Sequence, residues 1–162
     1  MDKRIHFFQR SLLTVTVVIF SIVCSGCSFV VRFFIENSSE RIVTVRYSTK
    51  NLQGGFDPKI FKENSNNGID EIPIPEDRVI IDTQNRTVEF KMLPHEQVRI
   101  WKMHGKLDEN YESEWNISSL SISSGEGSVS FEGSEVYKNF RPIAKTWYTF
   151  GPNATSFKLE YR

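Results

Sequence analysis

Apolar and polar residues alternate with a period of two through most of the chain after residue 28. That period belongs to strands buried on one face, because successive side chains on an extended backbone point to opposite sides. Phe29, Val31, Phe33 and Ile35 share one face, with Arg32 and Glu36 on the other. Asn37-Ser38-Ser39-Glu40 reads as a turn, after which Val43, Val45 and Tyr47 resume the alternation, so the two runs together suggest a hairpin. Residues 79–82, 87–92, 97–103, 117–123, 128–132, 135–140, 146–150 and 156–162 carry the same pattern and are read as strands. Gly125-Glu126-Gly127 sits between two of them as a hairpin turn.

No segment keeps a helical repeat over the roughly eleven residues that a helix assignment needs. Pro58 to Asn64 could hold a turn or two of helix, with Asp57 as cap and Pro58 in the first position. Residues 50–77, rich in Asn, Gly and Pro, read as a long loop, and residues 104–115 as a second one. The fold class that follows is all-β: an antiparallel β-sandwich of immunoglobulin or transthyretin-like kind, behind an N-terminal signal or anchor segment.

That N-terminal segment has its own logic. Lys3, Arg4 and Arg10 form a basic front end, residues 11–23 form an apolar stretch of secretory-signal length, and Cys24-Ser25-Gly26-Cys27 follows. This resembles the lipobox of bacterial lipoproteins, although Cys24 stands where leucine is usual. The resemblance implies that residues 1–26 are a signal peptide and that Cys27 becomes an acylated N-terminus. Residues 27–162 would then form one extracytoplasmic domain, held to the lipid bilayer through Cys27. Ser28 in place of aspartate implies sorting to the outer membrane, facing the periplasm. Two other readings stay open: a signal anchor kept uncleaved, since residues 11–31 carry no charge and are long enough to span a bilayer, and an ordinary cleaved export signal.

The whole chain balances 20 basic against 20 acidic residues. Removing residues 1–26 takes away Lys3, Arg4, Arg10 and Asp2, leaving 17 basic and 19 acidic, a balance that makes no electrostatic case for nucleic acid. With no cysteine after Cys27, apolar packing rather than disulfides must hold the exported part together.

The chemistry-bearing signals are sparse. No Gly-x-Ser-x-Gly elbow or completed phosphate loop occurs. His95 and His104 lie without metal-ligand spacing and read as solvated turn and loop residues, so neither a metal nor a cofactor is expected. Trp101, Trp147 and Tyr148 fall inside expected strands and read as core. The loop holding Asp108, Tyr111, Glu112 and Trp115 places carboxylates beside aromatics, a set that can bind a sugar, and hydrolysis would need two such carboxyls at a defined separation. The sequence therefore favours a non-enzymatic binding or scaffolding domain at the cell envelope with a protein partner. Carbohydrate or cell-wall binding through residues 106–115 is the alternative. Asn37, Asn85, Asn116 and Asn153 each begin an N-glycosylation pattern, expected to be coincidental in a bacterial protein.

Overall fold

The computed structural model describes residues 29–51, 57–63, 69–105, 115–143 and 154–162. In chain order these form strands β1 (Phe29–Asn37), β2 (Val43–Thr49), β3 (Lys59–Glu63), β4 (Ile69–Pro73), β5 (Val79–Asp82), β6 (Thr87–Met92), β7 (Gln97–Gly105), β8 (Ile117–Ser124) and β9 (Gly127–Glu132). A short helix α1 (Ser134–Lys138), β10 (Arg141–Pro142) and β11 (Ala154–Tyr161) complete them. One sheet runs β10-β11-β1-β7-β3-β4 and the other β5-β6-β2-β8-β9. The two sheets pack face to face as an all-β sandwich.

The alternation read from sequence sets which side chains meet between the sheets. Val31, Phe33 and Ile35 of β1 face Val43, Val45 and Tyr47 of β2, joined by Val88, Phe90 and Met92 of β6 and Leu120 and Ile122 of β8. Trp101 joins them, as its strand position implied. The five-stranded sheet is antiparallel throughout, whereas β1 lies parallel to β11 in the other, with Val30 beside Ala154 and Asn37 beside Tyr161.

Four local expectations change. β1 and β2 are not a hairpin: the turn after Asn37 carries the chain from one sheet to the other, and β1 pairs with β7 and β11 instead. Alternation reports which face is buried and is silent on which strand is the neighbour. Residues 59–63 are strand rather than helix, because β3 is hydrogen-bonded between β7 and β4, with Ile60 buried against the core. The stretch 50–77, read as one long loop, thus contains β3, β4 and a 3₁₀ turn at Glu76–Arg78. Residues 134–138 are helix rather than strand. Gly133, at φ +56°, reverses the chain after β9, and Val136 and Phe140, one helical turn apart, both point into the core. The expected strand at residues 146–150, with Trp147 and Tyr148, lies outside the described residues.

A bulge at Ile100 of β7 shifts its register against Phe33 and Phe34, and Phe34, on the face of β1 opposite Phe33 and Ile35, is also covered. Phe34 is fully buried there, edge-on to Phe61 at 4.6 Å between ring centres. Beside it Glu71 receives both Arg99, at 3.1 Å, and Arg32, at 3.5 Å.

Tyr47 is enclosed between the sheets, and burial pushes its phenol far above the ordinary tyrosine value, against a smaller opposing effect of the Arg99 charge. The folded state therefore favours the protonated phenol. Its contribution is intact below about pH 10, where an unfolded tyrosine also keeps its proton, and is lost as pH rises beyond that. Chemical denaturation between pH 9 and 12 checks this. Wild type should lose up to about 1.4 kcal/mol per pH unit above pH 10 relative to Tyr47→Phe. Parallel pH profiles for the two proteins would refute it.

Candidate interaction groove

The site begins with a serine-rich hairpin. β8 and β9 pair from Ser119 and Glu132 to Ser124 and Gly127, so Gly125 and Glu126 form the tight turn expected from sequence. On β9, Val129 and Phe131 turn inward and are half-buried, while Ser128, Ser130 and Glu132 face solvent. Among the described residues no strand pairs with the outer edge of β9.

Across from that edge lie β10 and β11 of the other sheet. The sandwich gapes between them in a cleft of about 520 Å³, floored by Val129, Phe131, Leu159 and Tyr161 and closed at one end by Pro142 and Ile143. A second cleft of about 510 Å³ shares Val129, Tyr161 and Arg162 with it and continues past Gly127 to Ser39 and Arg41. Together they form one groove along the length of β9. Tyr161 ties its floor across the sheets, its hydroxyl 3.1 Å from Ser124 Oγ.

Behind the groove floor lies a packed aromatic group. Phe33 stacks on Phe157 at 5.0 Å and meets Trp115 edge-on at 4.5 Å and Phe140 at 5.6 Å. Tyr137 of α1 leans on the same group. Charge lines the rim. Arg162 holds Glu160 at 2.8 Å and keeps that carboxyl below its usual range, Lys158 pairs with Glu36, and Arg41 pairs with Glu126. Arg141, exposed at the closed end, forms no ion pair with any described residue.

The residues singled out from sequence fall differently. Cys27, Asp108, Tyr111 and Glu112 lie outside the described residues. Trp115 is 2% exposed and sits in the aromatic cluster. Its reading as a ligand-stacking ring is corrected, since a ring enclosed on its faces has none to offer a sugar. His104 belongs to β7 rather than to a loop. His95 is exposed on the turn after β6, its Nε2 3.1 Å from Glu40. No group of three His, Cys, Asp or Glu side chains converges among the described residues, and no described helix is long and apolar enough to cross a membrane. Asn37 and Asn116 are buried with their amides engaged in hydrogen bonds, so neither can carry a glycan in the folded domain.

Sequence reasoning missed the groove. The signal was present in Gly-Ser-Val-Ser-Phe-Glu, an alternating strand with no lysine or proline to guard an edge. Its position at the end of a sheet was not in the sequence. No protein-family model, curated protein or solved structure matches the chain.

Proposed function

We propose that this chain is a membrane-anchored lipoprotein whose β-sandwich is a non-enzymatic binding or scaffolding domain at the cell envelope, engaging a protein partner through the groove along β9. The observation that carries the binding role is the groove itself: a strand edge unpaired among the described residues beside an apolar floor, backed by a packed aromatic cluster. The anchoring half rests on Gly26-Cys27 and its apolar leader. Two or more acyl chains suffice for stable attachment, each buried methylene contributing about 0.8 kcal/mol. β1 starts at Phe29, two positions after Cys27. So short a tether keeps the sandwich close to its bilayer, which suits a partner in or near the outer membrane on its periplasmic side.

Two measurements test the halves. Radiolabelled palmitate should mark wild type and not Cys27→Ser, with the variant leaving the membrane fraction; label retained in the variant refutes the anchor. A photo-crosslinking residue placed at Ser130 should give a discrete protein adduct in cells, while one at Lys91, on the exposed face of β6, should not. Absence of any adduct from β9 positions would count against the binding role.

A further inference from the structure

The four sheet edges are not equally protected. β4 carries Asp70, Glu71 and Pro73, and β10 is two residues long and contains Pro142. β5 has only four residues, although Ile80 and Ile81 are exposed on it. β9 runs six residues with neither lysine nor proline, and it borders the groove along its length, whereas β10 meets it only at one end. In an antiparallel ladder every second residue of an edge strand turns its amide and carbonyl outward, so β9 presents a row of backbone donors and acceptors that no strand of the described residues fills.

Resting on the binding role proposed above, we infer that β9 takes its partner by strand addition: an extended segment of the partner protein pairs with β9 as a sixth strand of that sheet. Its side chains then alternate as any strand's do. Those on the groove side lie over Leu159 and Tyr161 and are apolar; those on the other side continue the solvent face of Ser128 and Ser130. Arg141 is the rim cation left without an intramolecular carboxylate among the described residues, whereas Lys158 and Arg162 are already paired. The incoming segment therefore carries an acidic residue at the end that meets Arg141. An exposed guanidinium offers a planar fork to such a carboxylate. Proline is excluded from the middle of the segment, since it cannot donate to the ladder.

The experiment selects random seven-residue peptides displayed on phage against the purified full chain in detergent, then measures the selected peptides in solution. Selected sequences should alternate apolar and polar residues, carry an acid near one end and lack central proline. Binding should slow hydrogen exchange of β9 amides. Arg141→Glu should weaken binding at least about tenfold, the scale of one lost charge-assisted hydrogen bond, and Val129→Lys, which puts a charge on the groove floor while leaving β9 paired to β8, should abolish it. Selected peptides that lack alternation, that bind Val129→Lys as well as wild type, or that leave β9 exchange unchanged would overturn the inference. So would self-association of the chain through β9 that peptides do not displace. Because the assay needs neither the anchor nor the natural partner, these failures remove strand addition alone. A missing in-cell adduct from β9 is what removes the binding role.

Discussion

Trp115→Ala should destabilise the sandwich by about 3–5 kcal/mol, the range for removing a large aromatic from a packed core. The indole lies against Phe33, Phe140 and Tyr137, so truncation takes a contact from each and leaves a cavity behind the groove floor. Its Nε1 is buried and meets no acceptor among the described residues. Trp115→Phe removes that donor along with part of the volume, and should cost only about 1–2 kcal/mol. Urea denaturation of both variants checks the order. If Trp115→Ala were as stable as wild type, the aromatic cluster would not be the support described here. The same variant shows how a glycan-binding assay can mislead: any loss of retention would follow from unfolding and would track the loss of stability.

The second large effect is expected at Asn37. Its amide nitrogen donates to the carbonyls of Arg41, at 2.7 Å, and Leu93, at 2.9 Å, while its side-chain oxygen accepts from the amide and hydroxyl of Ser39. Its backbone is bound as well, to Glu96 and His95. One fully buried side chain thus joins the crossing from β1 to β2 to the crossing from β6 to β7, two of the places where the chain changes sheet. Asn37→Ala removes one donor each from the Arg41 and Leu93 carbonyls and the acceptor of Ser39, all from a fully buried position, and should cost about 2–4 kcal/mol. Asn37→Asp should do no better. A carboxylate cannot donate to those carbonyls, so it brings a buried charge against two acceptors. Thermal unfolding of the pair separates hydrogen bonding from size, since aspartate nearly preserves the volume; a stable Asn37→Asp variant would refute the network.

Strand positions were legible because burial of one face writes itself into every second residue. Val31, Phe33 and Ile35 or Val88, Phe90 and Met92 can be read off directly, and so can the turn at Gly125-Glu126. Pairing was not legible. The parallel contact between β1 and β11 joins residues more than a hundred positions apart, and nothing local distinguishes it from a hairpin with β2. Residues 59–63 escaped notice for a related reason: Pro58 and Asp57 are good helix-start residues in isolation, and only the edges of β7 and β4 turn the segment into strand. The groove belongs to the same class. It is made by two sheet ends failing to meet, a property of topology rather than of any motif. Trp115 was visible as an aromatic beside carboxylates, but whether such a ring faces water or core depends on what packs above it, here Phe33 and α1.

The parallel arrangement of β1 and β11 also bears on how the domain would carry tension. With the anchor proposed at Cys27, the sandwich would hang from its membrane by β1, and a pull on that end of the chain would load the strand lengthwise. β1 is flanked on both sides, by β7 and by β11, through hydrogen bonds that run across the strand direction. A pull along the axis must therefore shear many of those bonds together instead of peeling them one at a time from an edge. The strand nearest the anchor is thereby the one best placed to resist extraction, and a force-extension measurement from residue 27 should show a single high rupture event.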